Sequence, residues 1–286
     1  MKLFTKLALV SAIAISGNAM AMESLDDAAL STATGQEGIT IKVEAPSGIK
    51  INQLFLHDND GLAVANGGTA TAGAIAIGKL AAGTGSANQQ ANGITITQTS
   101  AAPLLTLDID ADGSSAATPF LNVAASVGAA KIEVGEISVV KSGTVSGLRR
   151  GGTDKAVFLE GLTLDLGALT ANVQLGNTPQ GAMIKLDSTV TGGLNISNLA
   201  IKDNGTNGGG SIVLDSIKLA DANSADLTLK SDISVKTGGL VITDNAGPRD
   251  VLISGIHLGA AANASIGDLE INGLDMGVST ITITGH

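Results

Sequence analysis

One eight-residue pattern decides the fold class of this chain. It reads LNISNLAI at residues 194–201, IVLDSIKL at 212–219 and LEINGLDM at 269–276. Each copy holds two aliphatic pairs with period-two spacing, and two residues instead of one separate the pairs. Period two is the spacing of a β-strand, and the extra residue turns the second pair to the opposite face unless the chain bends there. The pattern therefore predicts a strand, a corner and a second strand.

The pattern recurs along most of the chain. Its copies start at Ile49, Ile132, Val157, Leu194, Ile212, Val251 and Leu269. Corners are predicted at the central small or polar residue, namely at Gly161, Asn198, Ser216, Gly255 and Gly273. Repeated strand and corner units with an aliphatic interior predict an all-β fold, with an elongated β-solenoid-like or β-prism architecture. A β-sandwich is the alternative, because its strands show the same periodicity.

The composition fits a thin aliphatic core. The chain has 286 residues, of which 44% are hydrophobic but only 1% aromatic, with 38 Gly, 4 Phe and no Cys, Trp or Tyr. Enzyme and ligand pockets are commonly shaped by aromatic side chains, which this chain almost lacks. We therefore predict a protein that is not an enzyme.

The first 21 residues have the layout of a secretory signal peptide. Lys2 and Lys6 flank the start of an apolar stretch at residues 7–15, and small residues at Ala19 and Ala21 follow. A charged, an apolar and a cleavable part in this order direct export. We predict cleavage after Ala21, export through the inner membrane, and a destination between the periplasm and the cell surface. No later apolar run reaches the roughly 18 residues of a membrane-spanning helix.

Residues 22–38 differ from the β-rich sequence at 39–286. Acidic residues at Asp26 and Asp27 suit a first helical turn and Gly35 suits a helix end, which predicts a short helix over residues 25–33. A soft boundary inside the β-rich part is predicted at residues 146–153, where Arg149 and Arg150 precede two glycines.

This N-terminal segment carries a family resemblance. It reads MESLDDAALSTATGQEGI at residues 22–39, and includes Leu25, Asp26 and Asp27 as well as Gly35, Gln36, Glu37 and Gly38. Together with the preceding signal sequence, it resembles exported gammaproteobacterial proteins described as pilus-assembly or surface-fibre proteins of the Fil type, known from Acinetobacter. The resemblance implies an exported, fibre-related protein and brings no catalytic residues with it.

The charge excludes one class of partner. The chain has 16 basic against 26 acidic residues, a formal net charge of −10, and its arginines are Arg149, Arg150 and Arg249. Nucleic-acid binding requires clustered basic residues that neutralise phosphates. We therefore expect no nucleic-acid partner.

One acidic motif could hold a cation. Asp108, Asp110 and Asp112 precede Gly113 and reproduce the opening of a calcium loop, in which alternating carboxylates converge on one ion. The twelfth position, which needs a bidentate acid, is Pro119. The other interpretation is an acidic turn that ends a strand. A calcium-dependent adhesin or binding module is therefore the alternative function, and we predict no other cofactor.

Other chemical motifs have weaker support. Residues 73–79 match the glycine-lysine frame of a phosphate loop, but Leu80 replaces the required Ser or Thr and the interior alternates like a strand. His57 and His257 are interpreted as solvated side chains. An exported hydrolase is a third alternative, for which no nucleophile motif is present.

The leading prediction is an exported, non-enzymatic structural protein of a bacterial surface fibre or pilus. Its unpaired strand edges would add to neighbours through main-chain hydrogen bonds. The C-terminal strand at residues 278–284 is the first candidate for such pairing, and residues 39–43 are the second. Predicted partners are further copies, other fibre subunits and the export or assembly machinery.

Overall fold

The computed structural model describes residues 38–78, 93–145, 148–205 and 207–285. The signal peptide, the short helix and the lysine of the phosphate-loop frame lie outside these residues. Contacts divide the chain into Met1–Ile39 and Thr40–His286, and the architecture that follows belongs to the second unit. Among the described residues, no helix is long and apolar enough to cross a membrane.

The fold is all-β, as the period-two pattern predicts, and consists of two antiparallel sheets. The first sheet contains, in spatial order, β1 (Ile39–Val43), β6 (Leu105–Asp112), β7 (Phe120–Val127), β12 (Leu169–Gly176), β13 (Ile184–Val190), β16 (Leu227–Lys236), β17 (Gly239–Asp244) and β20 (Ser279–Ile283). Two antiparallel sheets are consistent with the sandwich alternative.

The second sheet has a main path and a branch. The main path is β2 (Ile49–Ile51), β5 (Ile94–Gln98), β8 (Ala130–Val134), β11 (Leu162–Leu166), β14 (Leu194–Lys202), β15 (Ser211–Asp221), β18 (Arg249–Gly259) and β19 (Gly267–Leu274). The branch leaves β14 through β10 (Leu148–Leu159), β9 (Ile137–Val145), β4 (Gly73–Ile77) and β3 (Leu54–Asp58). A short 3₁₀ turn, Val64–Asn66, lies between β3 and β4.

Both sheets grow in chain order. Apart from β1 and β2, which begin the two sheets, and β3, which begins the branch, each strand pairs with one that precedes it in the chain. The turn from β13 to β14 is tight. Gly193 there has φ +77°, and a side chain on it would meet the carbonyl oxygen of Leu219 at 2.6 Å. Only glycine fits at this position of the turn.

The repeated pattern straddles the line at which the second sheet divides. In β14, the residues before Asn198 pair with β11 and Ile201 pairs with β10. Asn198 and Gly255 have φ +58° and +64°, which are corner conformations. The predicted corner at Ser216 lies one residue earlier, because Ser216 itself pairs with Ser197 and Ser254 and the pairing is interrupted at Asp215.

The predicted soft boundary at 146–153 falls on the hairpin of β9 and β10. Val145 pairs with Leu148, and Ser142 pairs with Gly151. The segment therefore joins two neighbouring strands of the branch. The strand β4 likewise occupies residues 73–77 of the phosphate-loop frame, as its alternation predicts.

The core is thin and aliphatic. The largest fully buried side chains among the described residues are Leu227 and Val190, together with Ser138. Leu227 pairs with Val190 between β16 and β13. Within the branch, Ala74 and Ala76 of β4 and Val140 of β9 form a small buried cluster that packs against Phe55 of β3. On the outer face of the first sheet, Lys185 and Asp232 form an ion pair at 3.3 Å.

Candidate functional site

Aliphatic rows run through both sheets, from β2 to β19 in the second sheet and from β6 to β20 in the first. Residues directly opposite each other on neighbouring strands share a face, so a register defines such a row. In the second sheet the row is Ile49, Ile96, Ile132, Leu164, Ile196, Ile217, Ile253 and Leu269. In the first sheet it is Ile109, Val123, Val173, Ile184, Ile233, Ile242 and Ile281. These rows stack side chains of similar size.

The rows end at two open strands at the C-terminal end of the unit, which we term the C-end (β19 and β20). Within the described part of the chain, β19 pairs only with β18 and β20 only with β17. Ile281 is 58% exposed, and Leu269 and Ile283 are also exposed. A main-chain edge with exposed aliphatic side chains is a template for another strand.

The opposite end of both sheets is also open, and we term it the N-end (β1 and β2). Over the residues that the structure describes, β1 pairs only with β6 and β2 only with β5. The Thr40 hydroxyl donates to the Asp108 carboxylate at 2.6 Å, which places Thr40 on the outer face of the sheet. Its neighbour Ile41 therefore lies on the aliphatic face, where it is exposed, as are Ile49 and Ile51.

The two segments predicted to pair with neighbours thus lie at opposite edges of the first sheet. Residues 278–284 contain β20, and residues 39–43 are β1. What the sequence reasoning missed is the second edge strand at each end, β19 and β2. It also missed the charges on them, because Lys50, Asp268 and Glu270 are exposed outer-face residues that carry no recognised motif. Their alternation with Ile and Leu was the only available signal.

The three aspartates of the calcium motif lie on β6 and do not converge. Asp108, Asp110 and Asp112 pair with Ala124, Asn122 and Phe120 in a regular ladder. Alternate residues of a strand are about 6.6 Å apart along its axis, whereas calcium ligands lie about 2.4 Å from one ion. The described residues contain no group of three or more His, Cys, Asp or Glu side chains that could hold a metal. Calcium titration of the protein and of Asp110→Ala tests the prediction directly.

A polar groove of about 540 Å³ follows the line where the second sheet divides. Glu133, Glu160 and Asp215 line it with Thr163 and Asn198. His57 lies away from these residues, where its Nδ1 is 2.8 Å from the Ser142 hydroxyl and its ring stacks on Phe55. Carboxylates are the titratable side chains that line the groove.

His257 is held by two acceptors. Its Nδ1 lies 2.6 Å from the Asn263 carbonyl oxygen and its Nε2 lies 3.2 Å from the Asp215 carboxylate. The bond to the Asn263 carbonyl, and after it the bond to Asp215, raises the pKa of His257 above its ordinary value of 6.5. The predicted solvated histidine is thus a bonded one, which ties β18 to β15 and to the loop that follows β18.

This pair predicts a pH-dependent contribution to stability. A raised folded-state pKa gives stabilisation that is fully present below pH 6.5 and is lost as the pH rises through the folded value. We expect the urea midpoint of the protein to fall relative to that of His257→Gln between pH 5.5 and pH 8. A difference between the two midpoints that stays constant over this range would contradict the assignment.

The fold and its ends define a class: an all-β protein whose two antiparallel sheets end in exposed edge strands. Residues 1–112 match a protein family described as a family of unknown function (DUF6160). This range includes the predicted signal peptide and extends to the end of β6. No curated protein and no solved structure matches the chain.

Proposed function

We propose that this chain is an exported, non-enzymatic structural protein of a bacterial surface fibre or pilus, which acts by β-strand-mediated assembly. The observation that supports the proposal is the pair of open ends. Proteins that stay monomeric usually protect edge strands with charges, bulges, prolines or covering loops. Here β20 carries Ile281 and Ile283 on one face without an intervening charge or proline, and both are exposed.

The composition supports the same role. Stacked rows of Ile, Leu and Val need side chains of similar size, which accounts for a hydrophobic fraction of 44% with only 1% aromatic residues. Exposed aliphatic edges would be an aggregation hazard in a protein without a partner, whereas in a fibre they are the means of assembly. The signal-peptide layout of residues 1–21 supports export.

Electron microscopy of intact cells tests the proposal. Cells that lack the gene should lose a class of surface fibre, and the intact gene supplied on a plasmid should restore it. Antibody labelling separates the two structural roles: label along the fibre indicates a subunit, and label confined to the cell envelope indicates an assembly factor. Unchanged fibres in cells without the gene would overturn the proposal.

A further inference from the structure

The direction of the edge strands constrains how another chain can add. The first sheet has eight strands, with β1 at one edge and β20 at the other. The main path of the second sheet also contains eight strands, from β2 to β19. Neighbours are antiparallel, so the first and last strands of an even-numbered sheet run in opposite directions. A second copy that has the same orientation and is moved along the strand order would therefore place its β1 antiparallel to β20 of the first copy, and its β2 antiparallel to β19.

We propose that the N-end of one copy docks on the C-end of a second copy, so that both sheets continue without a break in antiparallel order. This inference rests on the proposed assembly role and adds the partner, the polarity and the register. Such a contact joins two different surfaces of the same chain. A head-to-tail contact of this kind does not close on itself by two-fold symmetry, and unless successive copies close into a ring it produces an open polymer.

The side chains at the two ends are complementary on the apolar side. The aliphatic row of the second sheet begins at Ile49 and ends at Leu269. Docking places Ile49 of one copy beside Leu269 of the next and extends the row with side chains of the same kind. In the first sheet, Ile41 would meet Ile281 or Ile283 on the aliphatic face. The other face carries Thr40 and Lys42 on β1 and Thr280 and Thr282 on β20.

The charges on the outer face are complementary as well. When Ile49 lies opposite Leu269 in an antiparallel pair, Lys50 lies opposite Asp268. When the register shifts by two residues, Ile49 lies opposite Ile271 and Lys50 lies opposite Glu270. Each of these two registers thus keeps the aliphatic side chains on one face and places the exposed Lys50 against an exposed carboxylate. The opposite arrangement, C-end to C-end, would bring these acids together.

Cysteine pairs test the polarity and the register, because the natural chain has no cysteine. A Lys50→Cys chain is mixed with an Asp268→Cys chain or with a Glu270→Cys chain, and disulfide-linked dimers are counted after mild oxidation. We expect one of these two mixtures to cross-link, since directly opposite strand positions satisfy disulfide geometry. Lys236→Cys, an exposed lysine position on β16, replaces Lys50→Cys in the matched control and should not cross-link.

A charge reversal tests the same contact without cysteine. Lys50→Glu should raise the concentration at which the purified protein polymerises by about tenfold, and Lys236→Glu should leave it unchanged. Adding Glu270→Lys or Asp268→Lys to Lys50→Glu should recover most of the loss. Circular dichroism of each variant confirms that the fold is retained.

The outcomes separate this inference from the proposed function. Head-to-tail docking would be overturned if cross-links formed only between two chains that carry the same cysteine, or if the purified protein stayed monomeric at every concentration. Either result would stand even if surface fibres depend on the gene. Conversely, specific cross-links in the purified protein together with unchanged fibres on cells lacking the gene would retain the docking and overturn the fibre role.

Discussion

Replacement of Leu227 by alanine should lower the free energy of unfolding by about 3 kcal/mol, since truncating a buried leucine costs about 2–5 kcal/mol. Leu227 is 2% exposed and pairs with Val190, which is fully buried. The substitution removes contacts at the centre of a core that has few large buried side chains. Chemical denaturation with urea at neutral pH gives the value.

Leu258→Ala is the matched control for this measurement. Leu258 lies after the corner at Gly255 in β18 and is 50% exposed, so the same truncation removes much less buried surface. We expect a cost below about 1 kcal/mol for this variant. Equal costs at the two sites would mean that the burial of Leu227 against Val190 does not carry the stability of this part of the fold.

Period-two alternation was sufficient to predict the all-β class and the corners at Asn198 and Gly255. Both are local properties, because alternation and positive φ depend on a residue and its immediate neighbours. The pairing order of the strands is not local. Nothing in the residues of β3 and β4, for example, indicates that they extend a branch beside β9 rather than the main path beside β5.

The misplaced corner at Ser216 has the same origin. In β14 the residues that pair with β11 of the main path come before Ile201, which pairs with β10 of the branch. Because β15 is antiparallel to β14, it meets these two parts of β14 in the reverse order. The pattern looks alike in both directions along the chain. Its fifth residue is therefore the corner in β14, at Asn198, whereas in β15 the corner lies one residue before the fifth, at Asp215. Only the register with Ser197 and Ser254 distinguishes the two cases.

The candidate site divides in a similar way. The alternation of Ile and Thr at residues 278–284 and 39–43 indicated strands suited to pairing, and the structure places both at an edge. That an edge is open depends on every other strand, which a local pattern does not contain. The aspartates of β6 illustrate the reverse case: their spacing matches a calcium loop, but the ladder with β7 holds them extended.

Replacement of Ile281 by lysine should prevent polymerisation while leaving the monomer folded. Ile281 is 58% exposed in the single chain, so a lysine there keeps its ammonium group in water at little cost to folding. In a docked pair the same position lies on the aliphatic face against the β1 strand of the next copy. A charge buried there without a partner is strongly unfavourable, and inward-pointing lysines are a known means of blocking edge-to-edge pairing. We expect the polymerisation concentration to rise at least about a hundredfold, which corresponds to about 2.7 kcal/mol per contact.

Thr282→Lys provides the contrast that makes this result specific. Thr282 is the next residue of the same edge strand and is also exposed, but its side chain points to the opposite face of the sheet. A lysine there stays solvated in the polymer, opposite Thr40 or Lys42 of the next copy depending on the register, and an exposed like-charge pair costs little. Sedimentation velocity should therefore show assembly much closer to that of the unaltered protein than Ile281→Lys does. If both lysines block assembly equally, the strand edge matters only as a general surface and the aliphatic row does not continue across the contact. If neither blocks it, β20 is not an assembly strand, and the contact between copies lies elsewhere on the molecule.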